Sequence, residues 1–439
     1  MTSRTLKTFS AFERIFVVTV LLLGTGALLS FSRVGISNVG DIDFAQGDPV
    51  TQLLWTVVYV VTVILALTQW RRITYIVMRD KLLLLLVGVA VTSVLWSAEP
   101  GLTLRRSITL AATTLFGTYV AARYTTSELL RLLAWALGIA ALLSLIVALA
   151  LPAYGISVDP RGEAWRGIFW YKNALGGNMA LSALAFLCVA LGCQTRRCRW
   201  LAWGGVGLST VLLVLSESIT ALVAFVVVLT LYPISRALRW RRTLVVPVYI
   251  MGVLACGCVA ALLLTSSEGV LAALGRDPTL TGRTELWSAV LEMIRQRPWL
   301  GYGFQAFWLG WMGESSHVLL WMAGTEGNYS YAAADNGYLE LALSLGLLGV
   351  SLYLFAFLRT FFRAVRWARI TKTAEGLWPL MLLTFLLIYN LSESVILAHN
   401  SVLWILYVAA QLSTVPQASK AHSRAYVGVI PSRGLARTN

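Results

Sequence analysis

Apolar runs of roughly bilayer-crossing length recur along almost the whole chain, and this repetition constrains the fold more than any other feature. A helical span takes about 20 mainly apolar residues, because each backbone N–H and C=O inside hydrocarbon must bond within its own segment. Such runs fall at 15–32, 50–68, 82–96, 107–122, 129–150, 173–192, 200–215, 218–234, 244–265, 337–358, 377–392 and 396–413. The expected fold is all-α: a single polytopic integral membrane domain, 1–439, of about 12 transmembrane helices. Composition agrees. Of 439 residues, 58% are apolar and only 13% charged, against about 45–50% and about 25% in soluble domains. That excludes a soluble enzyme, a disordered chain and a disulfide-rich secreted scaffold. The first run follows Arg4, Lys7 and Arg14 like a signal peptide, but no small-x-small cleavage site comes after it, so it is expected to stay as a span.

The net charge of +15 would suggest a nucleic-acid partner in a soluble protein. In a membrane protein, Lys and Arg collect in cytoplasmic loops, so no nucleic-acid partner is expected. A cytoplasmic amino terminus places most of the 35 Lys and Arg inside and most of the 20 acids outside. Twelve spans return the basic tail, 414–439, to the cytoplasm as well. The five cysteines, Cys188, Cys193, Cys198, Cys256 and Cys258, show no disulfide framework or zinc-site spacing and are expected to be ordinary thiols.

This topology leaves two long outer loops, 32–49 and above all 266–336, a large periplasmic loop between spans nine and ten. Within the latter, Thr284 to Gln296 puts Leu286, Ala289, Val290, Met293 and Ile294 on one side of a helix that Pro298 and Gly301-Tyr302-Gly303 end. Lying over the outer helix ends, it would form a lid or substrate platform. Trp308, Trp311, Trp321, Tyr329 and Tyr331 read either as interfacial anchors or as faces for stacking sugars. Leu215-Ser216-Glu217-Ser218 and Leu391-Ser392-Glu393-Ser394 echo one another at two outer turns, as helix caps or as acids with a task. Asp41-Ile-Asp43 has the form of a metal and diphosphate ligand pair, a triplet common by chance.

Arg105, Arg161, Arg166, Lys172, Arg276 and Arg283 lie outside, where the orienting rule gives them no role. A guanidinium fork fits phosphate oxygens and keeps its charge. Arg166 precedes a span, and Arg283 opens the predicted loop helix, whose backbone donors also favour anions. Together they suit a diphosphate at the membrane surface, with Arg276 and Lys172 as helpers. The alternative is ion pairing with Glu163, Asp277 or Glu285. Asp335, where the long loop returns to the membrane, reads as an N-cap or as a base for an attacking hydroxyl.

Several segments in order resemble a known family. They are Arg166-Gly167-Ile168-Phe169 with Lys172-Asn173 and Gly176, then Gly282-Arg283-Thr284-Glu285-Leu286-Trp287, then Arg297-Pro298-Trp299-Leu300-Gly301-Tyr302-Gly303-Phe304, then Asn336-Gly337-Tyr338-Leu339-Glu340 with Gly346-Leu347-Leu348-Gly349. Over roughly 90–410 the chain resembles the O-antigen ligase and O-antigen polymerase superfamily, nearest its exopolysaccharide-polymerase branch. The resemblance implies a metal-independent, cofactor-free inverting glycosyltransferase of the bacterial inner membrane with a periplasmic active site. It implies undecaprenyl-diphosphate-linked glycans as donor and acceptor, with the bilayer, a chain-length regulator and export proteins as further partners. Arg166 and Arg283 take the family's diphosphate-binding positions. The ligases carry a histidine base just before the Asn of the return motif, and here that position is Asp335. Asp335, Arg283 and Arg166 are therefore the expected catalytic residues; Lys172, Asn173, Arg276, Asn336, Tyr338, Glu217 and Glu393 are expected to bind substrate, with Glu217 and Glu393 as competing bases. The rivals are a ligase that transfers glycan to lipid A core or another acceptor, and a transporter of lipid-linked sugars. The transporter would call for mid-span charges and two similar halves, and neither is evident.

Overall fold

The computed structural model describes residues 3–27, 49–159, 162–237, scattered positions between 247 and 255, 283–323, 333–371 and 373–414. Its helices are α1 (Ser3–Gly24), α2 (Pro49–Thr68), α3 (Trp70–Arg79), α4 (Lys81–Thr92), α5 (Pro100–Arg123), α6 (Thr126–Ala150), α7 (Pro152–Gly155), α8 (Lys172–Gly192), α9 (Arg196–Leu215), α10 (Ile219–Ala237), α11 (Arg283–Gln296), α12 (Ser315–Ala323), α13 (Gly337–Ile370), α14 (Trp378–Tyr389) and α15 (Val402–Ser413). The all-α polytopic expectation holds. Among the described residues, α2, α6, α8, α9, α10 and α13 are long and apolar enough to cross a membrane, and Lys81–Leu95, Ala374–Tyr389 and Val402–Ser413 are shorter apolar helices. Most of the expected run 244–265 lies outside the described residues.

The boundaries differ from the hydropathy reading where local chemistry intervenes. The first helix starts at Ser3 and stops at Gly24, not 32, because Gly26 adopts φ 75 and the Thr25 hydroxyl donates to the Leu22 carbonyl at 2.6 Å. The connection 69–81 holds α3, a short helix that buries Ile73 and Ile76 and carries Arg71, Arg72 and Arg79. An antiparallel hairpin, β1 (Ile156–Asp159) and β2 (Gly162–Trp165), joins α7 to α8 with Ile156 opposite Trp165. Cys193 and Cys198 are joined in a disulfide, which corrects the thiol expectation. The short turn between α8 and α9 holds their Cα atoms 5.9 Å apart, inside the range a disulfide spans. Cys188 is a buried free thiol, and Cys256 and Cys258 lie outside the described residues.

Helix α13 is interrupted at Gly346, whose φ 62 and ψ −166 only glycine adopts without strain. The loop after α11 occupies the break. Leu347 N–H donates to Pro298 O at 2.7 Å, Leu348 N–H to Trp299 O at 3.3 Å, and Tyr302 N–H to Leu343 O at 2.8 Å. On its other side the same loop meets the turn before α5. Ala98 N–H donates to Tyr302 O at 2.9 Å, the Trp96 indole to Leu300 O at 2.9 Å, and Phe304 N–H to the Ser93 hydroxyl at 2.9 Å. The predicted loop helix forms as α11 and buries Leu286, Ala289, Val290 and Met293 in a small core of its own with Tyr302, Phe307 and Trp308. This core anchors the first residue of α11, Arg283, above the start of α13.

Candidate functional site

The return of the chain into the bundle is fixed by one side chain. Asn336, not Asp335, is the N-cap of α13: its Oδ1 accepts from Tyr338 N–H at 3.0 Å and Leu339 N–H at 3.1 Å. Its amide donates to Leu391 O at 3.0 Å and its backbone N–H to the Ser394 hydroxyl at 3.2 Å, while Gly337 N–H donates to Asn390 O at 2.9 Å. These bonds stitch 335–337 to 390–394, so Asp335 and Glu393 stand on adjoining strands of loop. The cap commits the Asn336 amide to the backbone, and Tyr338 likewise spends its hydroxyl on Leu387 O at 3.1 Å.

Asp335 is held with φ 47, a left-handed conformation uncommon outside glycine. Its Oδ2 lies 3.7 Å from Nε of Arg283, and the side chains are 42% and 16% exposed. Burial pushes the Asp335 carboxyl up from its ordinary value, and the guanidinium opposes that shift. Behind it, the Trp287 indole donates to Ala334 O at 2.9 Å, and Ala334 N–H and the Trp308 indole both donate to Glu340 Oε2 at 2.9 Å. Trp308 is thus a buried strut, neither an anchor nor a sugar platform; Trp311 and Trp321 are exposed.

Glu393 is 6% exposed, and its Oε1 accepts from the Asn173 amide at 2.9 Å in the first turn of α8. Burial, and next the negative charge of Asp335, push its carboxyl up to about 8; Arg283 and the Asn173 amide pull the other way. The Tyr389 hydroxyl donates to Asn173 O at 3.3 Å and steadies that turn. The Tyr171 side chain, about half exposed at the N-cap of α8, lies within electrostatic reach of Glu393 and Asp335. The result is one guanidinium and two carboxyl groups of unequal proton affinity at the mouth of the bundle.

The other expected residues are distributed around this group. Arg166 follows β2, and its Nε donates to Tyr154 O at 2.7 Å; among the described residues no hydrogen bond or ion pair joins it to Arg283, Asp335 or Glu393. Lys172 opens α8, half-buried, beside Asn173. Glu217 is exposed in the turn between α9 and α10 with φ 50. The two echoed turns do meet, through the Thr220 and Ser392 hydroxyls at 2.5 Å, yet only the second carries its acid into the cluster. Arg161, Arg276, Tyr329, Tyr331, Asp41 and Asp43 lie outside the described residues. Among the described residues no group of three or more His, Cys, Asp or Glu is placed to hold a metal ion.

Sequence reasoning missed the supports: Glu340, Asn390, Ser394 and the Trp287 indole. The Glu340 and Trp287 signals lay inside quoted motifs, but their partners are set by the tertiary fold. It also missed His399, whose Nδ1 is buried without a hydrogen-bond partner among the described residues. Burial, with Arg106 and Arg105 adding, pushes that imidazole down to about 4, so it is neutral at physiological pH.

Comparison with known proteins bears on this geometry. Residues 204–354 match the family model described as O-antigen ligase, a stretch that holds Arg283 and Asp335 but not Arg166, Asn173 or Glu393. The chain is similar to the exopolysaccharide production protein ExoQ of Rhizobium meliloti (strain 1021), 28% identical over 280 residues. That match covers 62% of this chain and 62% of that protein, less than two thirds of the relative's length.

Proposed function

We propose, on the support these likenesses give to the O-antigen ligase and polymerase superfamily, that the chain polymerises undecaprenyl-diphosphate-linked oligosaccharide repeat units into exopolysaccharide. The observation that carries the reading is the Arg283–Asp335 contact at 3.7 Å with Glu393 on the adjoining loop. The ligase alternative, in which lipid A core or another acceptor receives the glycan, is favoured by the description of the matched family.

In this reading the diphosphate of the donor binds Arg283 at the N-terminus of α11, where backbone donors add to the attraction. Arg166 approaches from the hairpin side, and Lys172 and Arg276 are helpers. An anion on Arg283 competes with Asp335 for the guanidinium, so donor binding removes the group that restrains Asp335 and leaves it more basic. The acceptor sugar hydroxyl attacks the anomeric carbon of the donor. Its proton passes to Asp335, the bond from that carbon to the diphosphate oxygen breaks, and the electron pair leaves on the diphosphate, with inversion and without a metal. The guanidinium stabilises charge where it develops on the leaving group.

Glu393 stays neutral below pH of about 8, so the site holds one carboxylate charge rather than two beside an incoming dianion. Asn173 and Glu393 then present an amide and an acid hydroxyl to sugar oxygens. The reading places the chain in the bacterial inner membrane, both termini cytoplasmic and the site periplasmic, with chain-length and export proteins as partners. Purified protein given lipid-linked repeats alone yields a ladder of lengthening products under this proposal. Transfer only after a different acceptor is added would establish the ligase instead, and movement of lipid-linked repeats without bond formation would overturn both.

A further inference from the structure

At the end of the bundle opposite Asp335, helices α1 and α6 border a cleft of about 610 Å³. Its distance from the site follows from α6 itself: 25 residues at about 1.5 Å each span about 37 Å before the chain turns, through the hairpin, to Asn173. The cleft is lined by Arg14, Ile15, Val18 and Thr19 of α1, by Tyr124, and by Glu128, Arg131, Leu132, Trp135 and Ile139 of α6. Both helices begin at this end, so the lining is graded along the membrane normal. Arg14 stands midway along α1 and Arg131 in the second turn of α6, and Val18, Trp135 and Ile139 follow one and two turns further along.

That gradation is amphipathic in the manner of a lipid. Two exposed guanidinium groups mark headgroup level, and among the described residues neither is in an ion pair. The one acid of the lining, Glu128, is engaged in a capping box, accepting from Thr125 N–H and the Thr125 hydroxyl at 2.9 Å each. Tyr124 is 9% exposed, and its hydroxyl has no hydrogen-bond partner among the described residues, a polar group the fold leaves unserved at this level. Below, Ile15 is 68% and Trp135 69% exposed on the walls. Eight residues separate Arg131 from Ile139, a drop of about 12 Å into the bilayer.

We propose that this cleft binds an anionic phospholipid of the adjoining leaflet, with its phosphate on Arg14 and Arg131 and one acyl chain along Ile15, Val18, Leu132, Trp135 and Ile139. A zwitterionic phospholipid has the same chains but adds a choline cation at the level of the two arginines, so charge selects the occupant. Basic side chains at this depth each favour an anionic headgroup enough that two together correspond to a preference of about 30-fold. Nothing in this proposal depends on the reaction at the other end.

The test is native mass spectrometry of the full chain released from detergent with equimolar dioleoyl-phosphatidylglycerol and dioleoyl-phosphatidylcholine. The expected result is preferential retention of phosphatidylglycerol, lost on Arg14→Gln with Arg131→Gln and weakened by Trp135→Ala, whose ring is exposed and holds no core. Arg196→Gln with Arg197→Gln removes the same charge from exposed positions at the start of α9 and is expected to keep the preference. Equal retention of both lipids, an unchanged preference in the Arg14 and Arg131 variant, or an equal loss in the Arg196 and Arg197 control would each overturn the proposal.

Discussion

At the end of the bundle where α1 begins, Glu13 is 2% exposed and closed by Arg123 at 2.9 Å and the Tyr119 hydroxyl at 3.0 Å. Asp80, 1% exposed there, is held by Arg363 and by Arg359 at 3.7 Å. At the other end, Asp335 has the Arg283 guanidinium at 3.7 Å and remains partly open, and among the described residues Glu393 accepts from the Asn173 amide. Each acid of the first pair is buried in ion pairs within the fold that tie helices together. Asp335 and Glu393 both lie in the field of Arg283, a cation that a ligand can take away. A buried acid locked in a short ion pair holds the fold, whereas Asp335, 42% exposed and 3.7 Å from its arginine, is open to exchange a proton.

The contrast is broken most severely by Asp335→Asn, which keeps the shape and removes the base. Turnover of lipid-linked repeats is expected to fall about 10²–10⁴-fold, with unchanged expression and melting; near-normal turnover would move the proton to another group. Next comes Arg283→Ala, with a loss of about 10²–10³-fold measured as product per unit enzyme. Asp80→Ala at the opposite end leaves two arginines facing each other and should cost about 3–5 kcal/mol of stability. It is read by thermal melting, while the pH dependence of turnover stays the same. A shifted pH profile in that variant would show that the two ends are not separate.

The pH dependence sharpens the comparison further. A carboxyl raised to about 8 is neutral below that pH and charged above it. Ionised Glu393 then repels the donor diphosphate, so turnover at limiting donor should decline about tenfold per pH unit above 8. Glu393→Gln keeps the neutral form and is expected to retain activity near pH 7 and lose the alkaline decline. An unchanged decline would place the titrating group elsewhere. The smallest effect is expected for Arg166→Ala, about tenfold, since its Nε is already engaged by the Tyr154 carbonyl. A total loss would show that it reaches the diphosphate as directly as Arg283.

Much of the scaffold was legible because bilayer-crossing segments announce themselves by length and apolarity, as α6, α8 and α13 do. The platform helix was equally plain, since its buried face repeats at helical spacing from Leu286 to Met293. The break at Gly346 was not, because a glycine inside an apolar run tells nothing of the loop at Pro298 and Trp299 that fills it. The sequence singled out Arg283 and Asp335 beside helix starts, and the fold brings them together, but the N-cap is Asn336 and not Asp335. Glu217 and Glu393 read alike in the sequence. Identical tetrapeptides end in different surroundings, and only packing against Asn173 distinguishes the second. The Cys193–Cys198 disulfide went unread because one close pair in a membrane chain carries no spacing signature.

The location of bound undecaprenyl diphosphate in a structure of the full chain tests this account most directly. Phosphate oxygens are expected within about 3 Å of the Arg283 guanidinium, with Asp335 released from it. A diphosphate seated away from Arg283, or the Arg283–Asp335 contact intact in the loaded protein, would contradict it.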